Sequence, residues 1–230
     1  MPEPFTTLTG VAAPLLRDNI DTDTISPGSR PKRAGSEVEF SEKGTSRLAQ
    51  DLFGNWRYDE NGDEIAGFVL NQRQFRDARF LIAGANFGCG SSRESAVWML
   101  KEFGIRCIVA PSMGEIFVSN CFANAVLPLT LPATIVRELA AEAAPGAPTA
   151  LFTVDLAANT LVSPSGRRVP VSLPEFRRRG LLEGLDELAV TLQDQNRIDS
   201  FLAQARRAWP WAYQVSGPPA ERRVDDGGPG

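Results

Sequence analysis

Hydrophobic and polar positions follow two periods along this chain, and each change of period marks an element. Residues 5–16 read as an opening strand bounded by Pro14. Phe80-Leu81-Ile82-Ala83 is a short unbroken apolar run, the pattern of a buried strand. From Ser95 to Phe103 the apolar residues Ala96, Met99, Leu100 and Phe103 recur at helical spacing. Ile105–Ala110 predicts a further strand. Ser112 followed by Glu115 is a capping box ahead of a helix from Ile116 to Asn124. Leu127–Leu131 is a strand whose Pro128 suits an edge or a strand start. A helix over Thr134–Ala144 is closed by Pro145-Gly146-Ala147-Pro148. Three short strands follow, at 151–156, 160–163 and 168–172, then helices near 174–184 and 195–208.

The remaining stretches are polar. Arg17 to Pro27 is a carboxylate-rich turn with Asp18, Asp21 and Asp23, but it lacks the glycine and final glutamate of a calcium loop. Residues 28–66 form a long loop of weak periodicity in which Leu52-Phe53-Gly54-Asn55-Trp56-Arg57-Tyr58 is an aromatic cluster. The tail 214–230, rich in Gly and Pro, reads as disordered. The whole predicts one α/β domain over 1–213, with a mixed sheet and flanking helices around a single core.

Composition narrows the chemistry. The 230 residues include no histidine, which excludes a Ser-His-Asp triad, a Cys-His pair and a His-ligated zinc. Proton transfer falls to hydroxyls, carboxylates, Lys, Tyr or a partner's residues. Cys89, Cys107 and Cys121 have no metal-site spacing, so no metal is expected on this chain. A net charge of −4 with no basic, aromatic-interleaved stretch argues against nucleic acid. No segment has the length to span a bilayer or the pattern of a signal peptide, and the scattered cysteines suit a reducing cytoplasm.

The most informative segment joins the 80–83 strand to the 95–103 helix: Gly84-Ala85-Asn86-Phe87-Gly88-Cys89-Gly90-Ser91-Ser92-Arg93-Glu94. Glycines admit a close ligand, and N–H groups at a helix start favour an anion. Arg93 adds a fork that matches a carboxylate in two parallel hydrogen bonds. The segment lacks the Lys of a Walker loop, the third glycine of a dinucleotide fingerprint and the flanked serine of a nucleophile elbow. A bound carboxylate fits it better than a nucleotide. Ser91 with Glu94 is also a capping box, so Ser91 is read both as a helix cap and as part of a ligand site.

Three segments resemble the small subunits of 3-isopropylmalate dehydratase, relatives of the mobile C-terminal domain of aconitase. They are Asn19-Ile20-Asp21-Thr22-Asp23-Thr24-Ile25, Leu52–Tyr58, and Asn86-Phe87-Gly88-Cys89-Gly90-Ser91-Ser92-Arg93-Glu94. Gly184-Leu185-Asp186 with Thr191-Leu192-Gln193 is a weaker fourth. The resemblance implies a swivelling β/β/α domain that closes over a large subunit, whose own cysteines carry a [4Fe–4S] cluster. It implies a hydro-lyase that converts 2-isopropylmalate to 3-isopropylmalate in leucine biosynthesis. In that arrangement Ser91 would be the base, Arg93 with Ser92 would hold a substrate carboxylate, and Asp23 would orient the site. Gly90 and Asn86 would line it, and the 28–66 loop with Phe53 and Trp56 would read the alkyl group. Ser95 and Asp194 stand where the family usually has histidine, as does Arg179 or Gly180, and Gly28 to Arg47 departs from the usual pattern. Two other readings follow: a maleate, citraconate or other alkylmalate hydratase subunit, and a non-catalytic carboxylate-binding regulatory module.

Overall fold

The structure is a computed structural model that describes residues 4–28, 46–144 and 151–213. Among these, seven strands make one sheet: β1 (Thr7–Leu15), β2 (Phe80–Ala83), β3 (Cys107–Ala110), β4 (Leu127–Thr130), β5 (Leu151–Asp155), β6 (Thr160–Val162) and β7 (Arg168–Pro170). Their order is β4-β3-β2-β1-β5-β6-β7. The β4-to-β1 half is parallel and the β1-to-β7 half antiparallel. β1 is the seam between the two.

The unbroken apolar runs of β2 and β3 follow from burial on both faces, as parallel strands under helices require. Along β2, Leu81 and Ala83 enter one core while Phe80 and Ile82 enter the other; along β3, Ile108 and Ala110 part from Cys107 and Val109 in the same way. The first core is closed by α4 (Glu94–Phe103) through Ala96, Val97, Met99 and Leu100, and by α5 (Glu115–Ala123) through Phe117 and Cys121. The second is closed by α6 (Ala133–Glu142) through Val136, Leu139 and Ala140, and by α7 (Glu175–Glu183) through Leu181.

The 16–79 connection between the parallel strands β1 and β2 also packs on the first core. Its short helices are α1 (Thr22–Ile25), α2 (Arg47–Asp51) and α3 (Gly54–Arg57). Buried Arg57 binds this layer together. Its Nε donates to Asn71 Oδ1 (2.9 Å) and its Nη1 to Ala49 O (2.8 Å), while Asn71 Nδ2 donates to Arg57 O and Ile65 O.

Three sequence expectations are corrected. Pro14 lies inside β1, opposite Ile82, and past Val11, the last residue that β5 pairs; its missing N–H therefore removes no bond on that side. The two serine capping boxes do not form: Arg93 and Gly114 stand at the cap positions, without side-chain cap bonds. β4, by contrast, is an edge strand, as Pro128 suggested.

The described residues fall into two compact units divided after Leu188, within α8 (Glu187–Leu192). The second unit holds α9 (Gln195–Ala208) and a 3₁₀ turn at Pro210–Tyr213. The Pro-Gly terminator at 145–148, most of the first half of the 28–66 loop and the 214–230 tail lie outside the described residues. Among the described residues no helix is long and apolar enough to cross a membrane.

Candidate functional site

At the carboxyl ends of β1 and β2 the two loops that leave the sheet stay zipped to each other. Asn19 N donates to Ala85 O (2.8 Å), Gly88 N to Ile20 O (2.7 Å) and Thr22 N to Cys89 O (2.9 Å), while Ala85 N donates to Asp18 Oδ1 (2.7 Å). Ligands in open α/β sheets favour this end of the strands. The approach is so close that a Cβ at Gly84 would lie 2.3 Å from Arg17 O. Gly88 turns the chain with φ +69°, and a Cβ there would meet the Phe117 ring at 2.3 Å. Asn19 and Asn86 both hold left-handed backbone, and Asn86 Nδ2 donates to Asn19 Oδ1 (2.9 Å).

The loop pairing brings α1 against the glycine turn. Asp21 caps α1 by accepting from Thr24 N (2.7 Å); Thr24's hydrogen bonds hold its carboxyl below the usual range, and the Arg93 charge adds to this. The next acid, Asp23, faces the turn. Its Oδ1 lies 2.7 Å from Arg93 Nε and accepts a long 3.4 Å hydrogen bond from Ser91 Oγ. Thr22 Oγ1 donates to Ser91 O (2.8 Å) and lies 3.4 Å from Ser91 Oγ. Arg93 Nη1 donates to Ser26 O (3.1 Å). The structure therefore brings Asp23, Ser91 and Arg93 together, from two loops nearly seventy residues apart.

Ser91, Ser92, Gly90, Asn86 and Asp23 are exposed, and Arg93 is half-buried, so the group opens to solvent. Backbone N–H groups of Asn86, Phe87, Gly88 and Arg93 are engaged. The Cys89 N–H lies in a parallel bridge to the Ile20–Asp21 backbone, and among the described residues those of Gly90, Ser91 and Ser92 take no partner, which leaves donors beside Ser91. Such donors, with a guanidinium, can stabilise negative charge on an oxygen.

The two serines expected to cap helices are used otherwise. Ser91 faces Asp23 and Thr22, and Glu94 Oε1 accepts from Asn124 Nδ2 (2.9 Å). Ser112 supports the turn: its Oγ accepts from Asn86 N (2.8 Å) and its carbonyl from Phe87 N (3.1 Å). Sequence reasoning gave Ser112 only a capping role and gave Thr22 and Ser26 no role of their own. Thr22 and Ser26 sit in the Asp-rich segment flanking Asp23, a signal that the whole segment packs on the turn.

Phe53 and Trp56 occupy a different position. Phe53 is fully buried, stacked on Trp56 (centroids 6.0 Å apart) and tilted against Phe68. Its backbone link to the site is Phe53 N donating to Ile25 O (3.0 Å), at the end of α1. Trp56 is half-buried, with the Arg17 guanidinium 4.7 Å from its ring centre. Among the described residues no group of three or more Cys, Asp or Glu side chains could hold a metal ion. Burial pushes the Cys107 and Cys121 thiols up, away from ligating thiolate.

The family model for the aconitase C-terminal domain matches residues 2–134. The 3-isopropylmalate dehydratase small subunit of Rhodospirillum centenum is 47% identical over 213 residues, spanning 91% of this chain and 98% of its own. That of Cupriavidus necator is 49% identical over 215 residues, spanning 92% and 98%. A crystal structure of 3-isopropylmalate dehydratase from Methanocaldococcus jannaschii shares the fold, with a TM-score of 0.53 and 23% identity over 84% of this chain and 98% of that one.

Proposed function

Because this chain belongs to the 3-isopropylmalate dehydratase small-subunit family of the aconitase superfamily, we propose that it is one half of a heteromeric hydro-lyase that converts 2-isopropylmalate to 3-isopropylmalate. One observation carries this reading: Ser91, Arg93 and Asp23 converge in an exposed turn rich in free N–H groups. A substrate carboxylate docks on Arg93, beside the Ser92 hydroxyl. Ser91 takes the proton from the neighbouring carbon. To do so Ser91 must shed its own proton, and Asp23 Oδ1 at 3.4 Å is an acceptor within reach. The resulting alkoxide is stabilised by the turn's donors and by Arg93. Rehydration exchanges the two carbons: water adds to the carbon that lost the proton, and a proton is delivered to the carbon that lost the hydroxyl.

Loss of the hydroxyl needs an electrophile, and the described residues of this chain do not fit an iron–sulfur cluster, with Cys107 and Cys121 buried and Cys89 alone on the turn. In this reading a large subunit holds the [4Fe–4S] cluster, which supplies Lewis acidity to the departing oxygen. The exposure of Ser91 and Asp23 supports the need for such a partner, because an alkoxide survives only where water is excluded. In this reading Trp56, from the 28–66 loop, is the aromatic assigned to the alkyl group, and the cytoplasm is the proposed location.

The test is anaerobic co-purification with a candidate large subunit, then assay on 2-isopropylmalate, maleate and citraconate. Turnover of isopropylmalate with both chains present, and with neither alone, is expected. Ser91→Ala should keep assembly and slow turnover by about 10²–10⁴-fold. Hydration of maleate or citraconate alone would move the chain to a sister activity. Assembly with no turnover of any diacid would leave a regulatory module.

A further inference from the structure

Arg93 is held by a closed ring of contacts between α1 and α4. Its guanidinium donates from Nη1 to Ser26 O (3.1 Å). The Ser26 hydroxyl, on a residue only 4% exposed, pairs with the Ser95 hydroxyl at 2.8 Å. Ser95 lies in the first turn of α4, two residues beyond Arg93, and Ala96 N donates to Arg93 O (3.1 Å) to close the ring. Ser26 is in turn fixed to α1, since its N–H donates to Thr22 O (2.9 Å). The carbonyl that holds Arg93 is therefore pinned from both helices.

We infer that the Ser26–Ser95 hydroxyl pair is a positioning device that sets Arg93 to grip a carboxylate end-on, through Nη1 and Nη2. A guanidinium has five N–H donors, and a carboxylate can bind either across Nε and Nη2 or across Nη1 and Nη2. Asp23 Oδ1 lies 2.7 Å from Nε as an ion-pair contact, which crowds the first edge. Ser26 O takes one hydrogen of Nη1 and fixes the plane of the group. Among the described residues Nη2 has no partner, so the open edge is the end of the fork. Without the Ser95 hydroxyl, the buried Ser26 hydroxyl must turn to find another partner, and the carbonyl beside it loses its tether. Arg93 then keeps its charge but not its direction. Specificity for a dianionic substrate would weaken while the proton-transfer groups stay in place.

This inference rests on the hydro-lyase reading for its kinetic arm and on geometry alone for its spectroscopic arm. In the two-subunit enzyme, Ser95→Ala should raise KM for 2-isopropylmalate about tenfold with kcat within about threefold, and Ser95→Thr should restore it. In an Arg93→Lys background the same change should add nothing, because its only route to substrate is through the fork. In the isolated full chain, nitrogen-15 NMR should resolve Arg93 Nη1 from Nη2 in the wild type and in Ser95→Thr. The two should merge in Ser95→Ala as the group begins to rotate. Matched unfolding midpoints establish that all variants are folded. An equal KM penalty in the lysine background, or resolved Nη signals in Ser95→Ala, overturns the inference. Wild-type enzyme inert on every diacid would sink the hydro-lyase reading instead, and the NMR arm would then decide the pairing alone.

Discussion

Replacing Gly84 by Ala tests the zipped loops directly. A Cβ there would sit 2.3 Å from Arg17 O, 2.4 Å from Arg17 C and 2.4 Å from Asp18 Oδ1. Gly84 does not have positive φ, so the penalty is steric. The obstacle is mostly backbone, and ordinary contact begins at 3.4 Å, so the two loops must part by roughly 1 Å. Overpacking of that kind costs about 1–3 kcal/mol. Parting also stretches the Ala85 N–Asp18 carboxylate bond, of a class worth about 1.5–3 kcal/mol, and the Asn19 N–Ala85 O bond, worth about 0.5–1.5. With partial relaxation the expected loss is about 4 kcal/mol. For a slope of about 2–2.5 kcal/mol per molar urea, the midpoint should fall by about 1.5–2 M with the slope unchanged. Gly67→Ala is the control, since nothing lies within 4 Å of its Cβ; it should stay within about 0.5 kcal/mol of wild type. A Gly84→Ala midpoint within about 0.4 M of wild type would refute the close approach on which the site geometry depends.

Arg57→Met should destabilise by about 2–4 kcal/mol in urea titration, because it leaves Asn71 Oδ1 and Ala49 O buried without their charged donor; a neutral result would mean the layer under the 28–66 loop is held by apolar packing alone. Ser112→Ala should speed amide exchange at Asn86 about tenfold while leaving α5 protection intact, because Ser112 Oγ accepts from Asn86 N and does not cap α5; slower exchange across α5 would restore the capping role. Stability should be flat from about pH 6 to 8, since the chain has no histidine. On the acid side Thr24's hydrogen bonds hold Asp21 low, and for Glu142 a burial penalty is outweighed by hydrogen bonds from Ser163 and Ser165. These contributions are present above the ordinary carboxylate range and are lost as pH falls through the depressed values. On the alkaline side unfolded thiols ionise from about pH 8.5 while buried Cys107 and Cys121 resist, so stability should fall as pH rises further. A midpoint that shifts between pH 6 and 8 would contradict this profile.

Elements backed on both faces announce themselves in the sequence. β2 and β3 are unbroken apolar runs because cores lie on either side, and α4 shows its buried stripe at Ala96, Met99 and Leu100. Pro14 misled because a strand half-paired beyond Val11 can hold a proline at no cost, which local sequence does not reveal. α1, α2 and α3 have four or five residues, too few to display a period. The two Ser-x-x-Glu patterns failed for a shared reason. Ser91 and Ser112 are each claimed by groups far along the chain, at separations of 68 and 26 residues, and an i,i+3 rule sees only neighbours. Phe53 looked like part of a polar loop, yet it is fully buried, because the layer that covers it is assembled from segments distant in sequence. Spacing alone did not connect Asp23 with Ser91 and Arg93. That grouping came from family resemblance, and the loop hydrogen bonds supply its physical basis.

The zipped loops also bind the site's fate to that of the sheet. Thr22, Asp23 and Ser26 reach their partners across separations of 67–69 residues, and backbone hydrogen bonds from Asn19, Gly88 and Thr22 carry the contact between the two loops on from the end of the β1–β2 ladder. Such long-range closure is entropically demanding, so the site should assemble late, once the parallel strands have paired. It should also have no melting transition of its own. Heat that erases carboxylate binding should be the heat that unfolds β1 and β2, and amide exchange at Gly88 and Thr22 should track global opening.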